Sequence, residues 1–452
     1  MLKKLLYILF PIMGALFLVA YIKASTLDVV YTDYIRIINS YMPDVYSLKP
    51  YLGADILTRL PVSYFERIIN VALFSYSTRF DMYMGIIFLS LSSFVIYKFA
   101  VEQKASLVIL ISIFIVYFSL NKWEMLSNGT GWVHFFAFFL FTLHYYLYDK
   151  HVYKKEVGKK ADICMCVLPY VSIFLTAGPY TAIYALSLIL LYLTAVLIKR
   201  NVKFFKRHIK YLINILIPTF IYIYSMKHSV EEHAGSTSMS MSEVLKTMPD
   251  LFVRLYLKSF ASILVGVETI NDLKLDSNIV IAMGVVVLLA YIYAIFLYFR
   301  KKVYKTSLFP LVLMFSALIS HLLVTLSRWI FLNDTYGMSS RYALQFQFGV
   351  IALLLILGSL GYKKKEKNNI HVAAGICVLF IVGNVMTNSY EMNMAKYRKE
   401  NFEKKYEAAL EFEKYSDKEL NEIFQYRHDA ERIRKALGIL RDAGLNVYKE
   451  RR

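Results

Sequence analysis

About eleven apolar runs, each long enough to cross a bilayer, dominate this chain, and its cations fall almost entirely on one side of them. A helix needs roughly 20 apolar residues to span ~30 Å of hydrocarbon. The runs lie at 5–23, 82–100, 105–120, 132–148, 163–178, 179–198, 209–226, 278–299, 307–327, 342–362 and 370–388. The fold class that follows is all-α, a polytopic membrane protein with about 11 transmembrane helices.

Lys and Arg resist transfer across a membrane, so short loops rich in them mark the cytoplasmic side. With the N-terminus inside, as Lys3 and Lys4 suggest, the inner segments hold 23 Lys and Arg. Among these are Lys154, Lys155, Lys159, Lys160 and Lys363 to Lys365. The short outer loops 121–131 and 328–341 hold three: Lys122, Arg328 and Arg341. An odd number of spans then puts the C-terminal tail outside. The excess of 52 basic over 33 acidic residues lies in thin bands beside the spans. That layout suits anionic lipid and argues against a nucleic-acid partner. Cys164, Cys166 and Cys377 all fall within spans. They match neither a four-ligand zinc site nor a disulfide framework in the outer loops. The first run has a basic start like a signal peptide, but it is long and contains Pro11, and Lys23-Ala24-Ser25 is a poor cleavage site. It reads as a retained span.

Two parts follow: a multi-pass domain over 1–389, with long outer loops at 24–81 and 227–277, and an extracytoplasmic helical tail over 390–452. In the first outer loop Ile35, Ile38 and Tyr41 or Met42 recur at helical spacing, and Pro43 ends the pattern. A second stretch, Ser63 to Phe74, sets Phe65, Ile68, Ile69 and Leu73 on one face. Both would lie along the outer membrane surface. The second loop opens with a polar patch at 233–242, read as a mobile lid or an idle connector. Leu251 to Val265 is apolar but interrupted by Arg254 and Lys258, so it reads as interfacial or re-entrant. In the tail, Ser416 and Glu419 form a capping-box pattern, with a helix to about Asp442 closed by Gly444. Its apolar stripe, which includes Leu420, Ile433, Leu437 and Leu440, is expected to pack on the outer loops.

Ionisable residues inside spans mark transport paths by default. Here His144 and His321 are the clear cases, and no span centre carries Asp or Glu, which weakens a proton- or sodium-driven transporter. The outer surface is richer: Asp28, Asp33, Arg36, Asp44, Asp55, Arg59, Glu66, Arg67, Glu124, Glu268, Arg328, Asp334 and Arg341. A carboxylate there can take a proton from an attacking sugar hydroxyl, and an arginine can hold a departing phosphate. Lys122, Trp123 and Glu124, with His134 nearby, are placed to contact sugar. Tyr180, in the tight turn Gly178-Pro179-Tyr180, is a further cavity candidate, and His321 is either a substrate contact or a hydrogen-bonded interior histidine. No H-E-x-x-H, Walker A or Gly-rich nucleotide loop occurs, so a cytoplasmic nucleotide-sugar enzyme has no support.

An inside N-terminus, one span, a long outer loop with an early Asp, and many further spans resemble the GT-C superfamily of polytopic glycosyltransferases. Ser339-Ser340-Arg341-Tyr342, entering a late span, and the tail end from Ile433 to Tyr448 resemble bacterial members of this kind. The resemblance implies transfer of a sugar from a polyprenyl-phosphate donor to a cell-surface glycan acceptor, at the outer face of a bacterial cytoplasmic membrane. It implies Asp33 as catalytic base, with Asp28 as the alternative, although many members carry an acidic pair where this chain has Asp33 alone. Arg341, with Arg59 or Arg328, would bind the lipid phosphate. A divalent cation is left open: Asp33 with Asp28 or Asp44 has suitable oxygens, but no spacing demands one. Two other functions fit the same layout, a polysaccharide polymerase or O-antigen-ligase-like enzyme, and a non-enzymatic lipid-glycan flippase or transporter.

Overall fold

The computed structural model describes residues 2–153, 158–229, 235–360, 367–426 and 429–451. It is 85% helix, with no strand among the described residues. Nineteen α-helices follow one another along the described chain. The first loop and its flanks contain α1 (Leu2–Ser25), α2 (Asp33–Tyr41), α3 (Val62–Phe74) and α4 (Thr78–Glu102). Then come α5 (Leu107–Tyr117), the short α6 (Trp123–Ser127), α7 (Trp132–Tyr153), α8 (Lys159–Val171), α9 (Thr181–Lys199) and α10 (Val202–Met226). The second long loop holds α11 (Met241–Thr247), α12 (Pro249–Leu264) and α13 (Val267–Asp272). The rest are α14 (Ser277–Arg300), α15 (Phe309–Arg328), α16 (Ala343–Leu360), α17 (Lys367–Leu410), α18 (Asp417–Ile423) and α19 (Ala430–Ala443).

Among the described residues, eight helical segments are long and apolar enough to cross a membrane. The difference from eleven has a physical origin. The 41-residue segment Lys159–Lys199 is one of the eight, yet it folds back at Gly178 into the hairpin α8–α9, and both arms pack on α10. Gly178 has φ +45°, and a Cβ there would lie 2.3 Å from Leu60 Cδ2, so the turn requires glycine. α7 is diluted by Tyr and His, and α17 runs from an apolar start into a charged second half. Neither is among the eight.

The apolar helices share one core, in which α15 and α16 pair, as do α4 and α7. α12 is about 24 Å long and buries Leu251, Leu255 and most of Lys258–Leu264. It crosses α14 so closely that a Cβ on Gly284 would meet the Leu257 carbonyl oxygen at 1.9 Å. Its charges are paired internally: Lys258 Nζ and Arg254 Nε each lie 2.9 Å from Asp334. At the basic end of the bundle Asp149 caps α15, accepting from Ser307 Oγ at 2.8 Å and the amides of Leu308 and Phe309 at 2.5 and 3.1 Å. Lys154, Lys155 and Lys363 to Lys365 lie outside the described residues.

A second core joins the first loop to the tail, as the apolar stripe of the tail leads one to expect. Val29, Val30, Tyr34, Ile35 and Ile38 interleave with Phe412, Leu420, Phe424, Ile433, Leu437 and Leu440. α2 therefore does not rest on a membrane surface; its apolar face is covered by α19. The tail also departs from the expected single helix. The Ser416–Glu419 capping box and the left-handed Gly444 cap are present, but the chain breaks after Ile423, so that Phe424 and Ile433 both face the same core. α17 passes unbroken through 389/390, the boundary read between membrane domain and tail. The stretch 233–242 lies in part outside the described residues. From Thr237, whose amide donates to Ile330 O at 2.7 Å, it leads into the Ser240–Glu243 capping box of α11.

Candidate active site at the loop end

α2 begins at Asp33, directly after Thr32, which is held at φ 46°, ψ −117°. That conformation is strained for a β-branched residue. It is imposed from both sides: the Thr32 amide donates to Phe424 O of the tail at 3.0 Å, and the next residues are drawn inward by Tyr34 and Ile35. Asp33 is thereby turned out. It is exposed and makes no hydrogen bond or ion pair among the described residues, while its charge acts on Tyr31, His134 and Arg341.

Those neighbours come from distant parts of the chain. Arg341 donates through Nε to Glu124 Oε1 at 2.5 Å, and Nη2 lies 2.5 Å from the same oxygen. Ser340 Oγ donates to Glu124 Oε2 at 3.2 Å. Glu124 thus fixes the guanidinium by two contacts while 57% of the Arg341 side chain stays accessible. His134 stands edge-on to Tyr180, ring centroids 4.9 Å apart, and its Nδ1 is buried without a partner. Arg328 lies 5.8 Å over the ring of Tyr342, and the charges of Arg328 and Arg341 both reach Tyr180. Asp33, Glu124, His134, Tyr180, Arg328 and Arg341 therefore share one electrostatic neighbourhood. It offers an unengaged carboxylate, two guanidinium groups and an aromatic wall.

The other sequence candidates are placed elsewhere. Asp28 is engaged on both oxygens. Oδ1 accepts from the Thr78 amide at 2.7 Å and from Thr78 Oγ1 at 3.0 Å, and Oδ2 from Ser77 Oγ at 2.8 Å. Asn446 and Lys449 of the tail add weaker contacts. It caps α4 and anchors the tail. Lys122 is fully buried and donates to the carbonyls of Tyr117 and Ser119 at 2.9 Å each, closing the C-terminal end of α5. His321 is sandwiched between Phe260 and Phe346, with centroids 3.7 and 3.9 Å away, and bonds Ser259 Oγ at 2.7 Å; it is an interior histidine. Arg59 pairs with Asp55 and Tyr41. One face of Trp123 is covered by the Arg398 guanidinium 3.2 Å above the ring, and its Nε1 donates to Glu268 Oε1 at 2.8 Å, so that face cannot stack on a sugar. Among the described residues no three His, Cys, Asp or Glu side chains gather as a metal site.

Two buried polar clusters beneath the site escaped the sequence reading. Asp81 accepts from Tyr34 Oη at 2.6 Å and Asn70 Nδ2 at 2.8 Å and faces Glu66. Burial pushes the Glu66 carboxyl upward. In the second, Arg398 reaches Glu391 Oε2 through Nε at 3.1 Å and Nη2 at 2.6 Å. The legible signal for the second was spacing, since residues seven apart share a helix face. The first had none, because its members meet only through the fold of the loop. A cavity of about 180 Å³ lies between first loop and tail, lined by Leu27, Asp28, Arg79, Tyr406, Asn446 and their neighbours.

Comparison with protein-family models, with curated proteins and with solved structures finds no match.

Proposed function

We propose that the protein is a membrane glycosyltransferase that moves a sugar from a polyprenyl-phosphate donor to a cell-surface glycan. The observation that carries this reading is Asp33: an exposed carboxylate without a partner, whose charge acts on the accessible guanidinium of Arg341. In the proposed topology α7 and α17 join the other apolar helices to give eleven crossings, with the N-terminus cytoplasmic. The first loop, the site and the tail then face outward from a bacterial cytoplasmic membrane, and the cation-rich ends of the spans face anionic lipid inside.

The reaction is a single inverting displacement. Asp33 takes the proton of an acceptor hydroxyl, whose oxygen forms the new bond to C1 of the donor sugar. The bond between C1 and the phosphate oxygen breaks, and its electron pair leaves on polyprenyl phosphate. Arg341, steadied by Glu124, stabilises the charge that grows there, and Arg328 adds to the local positive field. His134 and Tyr180 form the wall against which the sugar rests. A free carboxylate suits the base better than Asp28, whose oxygens already serve as acceptors.

The test is turnover of polyprenyl-phosphate hexoses by the purified protein in proteoliposomes. Asp33→Asn is expected to lower kcat by about 10²- to 10⁴-fold, the usual contribution of a positioned base, with donor binding retained. Arg341→Gln is expected to weaken donor binding as well. Full turnover by Asp33→Asn, or labelling of a cysteine at position 33 only from the cytosol, would end the proposal.

A further inference from the structure

α3 is built inside out. Its polar side chains Ser63, Glu66, Arg67 and Asn70 are buried, whereas Phe65, Ile69 and Leu73 are exposed, Leu73 by 73%. The inward face is held through Asn70, Tyr64 and Arg67, while Glu66 Oε1 and Arg67 Nη1 are buried without a hydrogen-bond partner. Asn70 bonds Asp81, Ser77 O and the Ser77 amide. Arg67 lies 5.4 and 5.5 Å over the rings of Tyr41 and Tyr64, and Tyr64 Oη donates to Tyr41 Oη. Turning the apolar face inward would break the Asn70 bonds to Asp81 and Ser77 and the packing of Arg67 on Tyr41 and Tyr64. A helix resting on a membrane surface shows its polar face to water. This one shows its polar face to the protein, so the medium on its far side must be apolar.

The surroundings say which medium. Phe74, at the end of α3, stacks on Phe80 of α4 at 4.2 Å. Phe80, Ile87 and Leu91 fall on one face of α4, and Ile87 and Leu91 are exposed. α4 is one of the eight apolar segments, so the exposed side of α3 continues its outward stripe. Leu48 and Leu52 in the same loop are also exposed, Leu52 by 84%.

We infer that α3 is sunk into the rim of the hydrocarbon layer, with Phe65, Ile69 and Leu73 against the acyl chains of the bilayer. The inference does not depend on the glycosyltransferase reading, only on the chain lying in a bilayer.

The test uses the full chain in nanodiscs, with Cys164, Cys166 and Cys377 replaced by alanine and one spin label per protein. Ile69→Cys and Leu73→Cys report on α3. Leu289→Cys, exposed on α14, reports on a bilayer-crossing helix, and Arg36→Cys, on the exposed side of α2, on water. Labels at 69 and 73 are expected to match 289, with a ratio of oxygen to nickel-chelate collisions severalfold above that at 36. Labels at 69 and 73 that match 36 overturn the inference while 289 still reads lipid. Labels shielded from both reagents, with dipolar broadening between proteins, assign the face to a second copy and overturn it too. If 289 also reads water, the bilayer placement falls with it.

Discussion

Replacing Leu437 by Ala should loosen a loop more than 390 residues earlier in the chain. Leu437 is fully buried in the core shared by α19 and α2. A Leu→Ala change at such a site costs about 2–5 kcal/mol, from lost transfer energy and the cavity left behind. If tail and first loop open as one unit, their amides exchange through that opening, and each ~1.4 kcal/mol is tenfold. Hydrogen exchange over 29–42 should therefore accelerate by roughly 30-fold to several thousand-fold, read by mass spectrometry on the protein in nanodiscs. Peptides of α14, which belongs to the other core, should not change. Turnover should fall as well, because the Thr32–Phe424 contact that turns out Asp33 lies in the opening unit. Faster exchange confined to 430–448, with 29–42 still protected, would refute the idea of a shared core.

Two further outcomes follow from engaged carboxylates. Asp28→Ala removes the acceptor for the Thr78 amide and the Ser77 hydroxyl, so thermal unfolding should shift down by the equivalent of about 1–3 kcal/mol, with exchange rising near 76–80. Burial raises the Glu391 carboxyl to about 7, against the opposing pull of Arg398 and with a further upward push from Glu268. The folded state then holds this proton more tightly than the unfolded state, so its contribution is present at low pH and is lost as pH rises from about 4.5 through about 7. The loss is on the order of 3 kcal/mol. Glu391→Gln should flatten the fall in melting temperature over that window; parallel profiles for the two proteins would show that Glu391 does not carry it.

Much of the architecture was legible because long apolar runs and banded lysines admit few other folds. The neighbourhood of Asp33, His134, Tyr180, Arg328 and Arg341 was legible as a set of chemical types at one end of the spans. What the sequence could not show was engagement. Asp28 and Asp33 look alike five residues apart, yet both oxygens of one accept hydrogen bonds and the other is unpartnered. Lys122 has the chemistry of a sugar contact, but a helix end five residues upstream captures its ammonium. Periodicity located the amphipathic stretches of the first loop without saying which side of each faces protein. α2 turned its apolar side to a tail whose docking depends on residues hundreds of positions away, and α3 turned its polar side inward to meet Asp81. The break between α18 and α19 has the same cause: the capping box announces a helix start, whereas its end is decided by what Phe424 can bury.

The interleaving of residues 29–76 with 402–448 imposes an order on biogenesis. The ribosome makes the first loop early and its covering last. At roughly 5–20 residues per second, the strained turn at Thr32 waits some tens of seconds for its anchor. During that interval Ile35, Ile38 and Tyr34 have no permanent cover. A nonsense mutation near the end would therefore leave the very first loop without its cover.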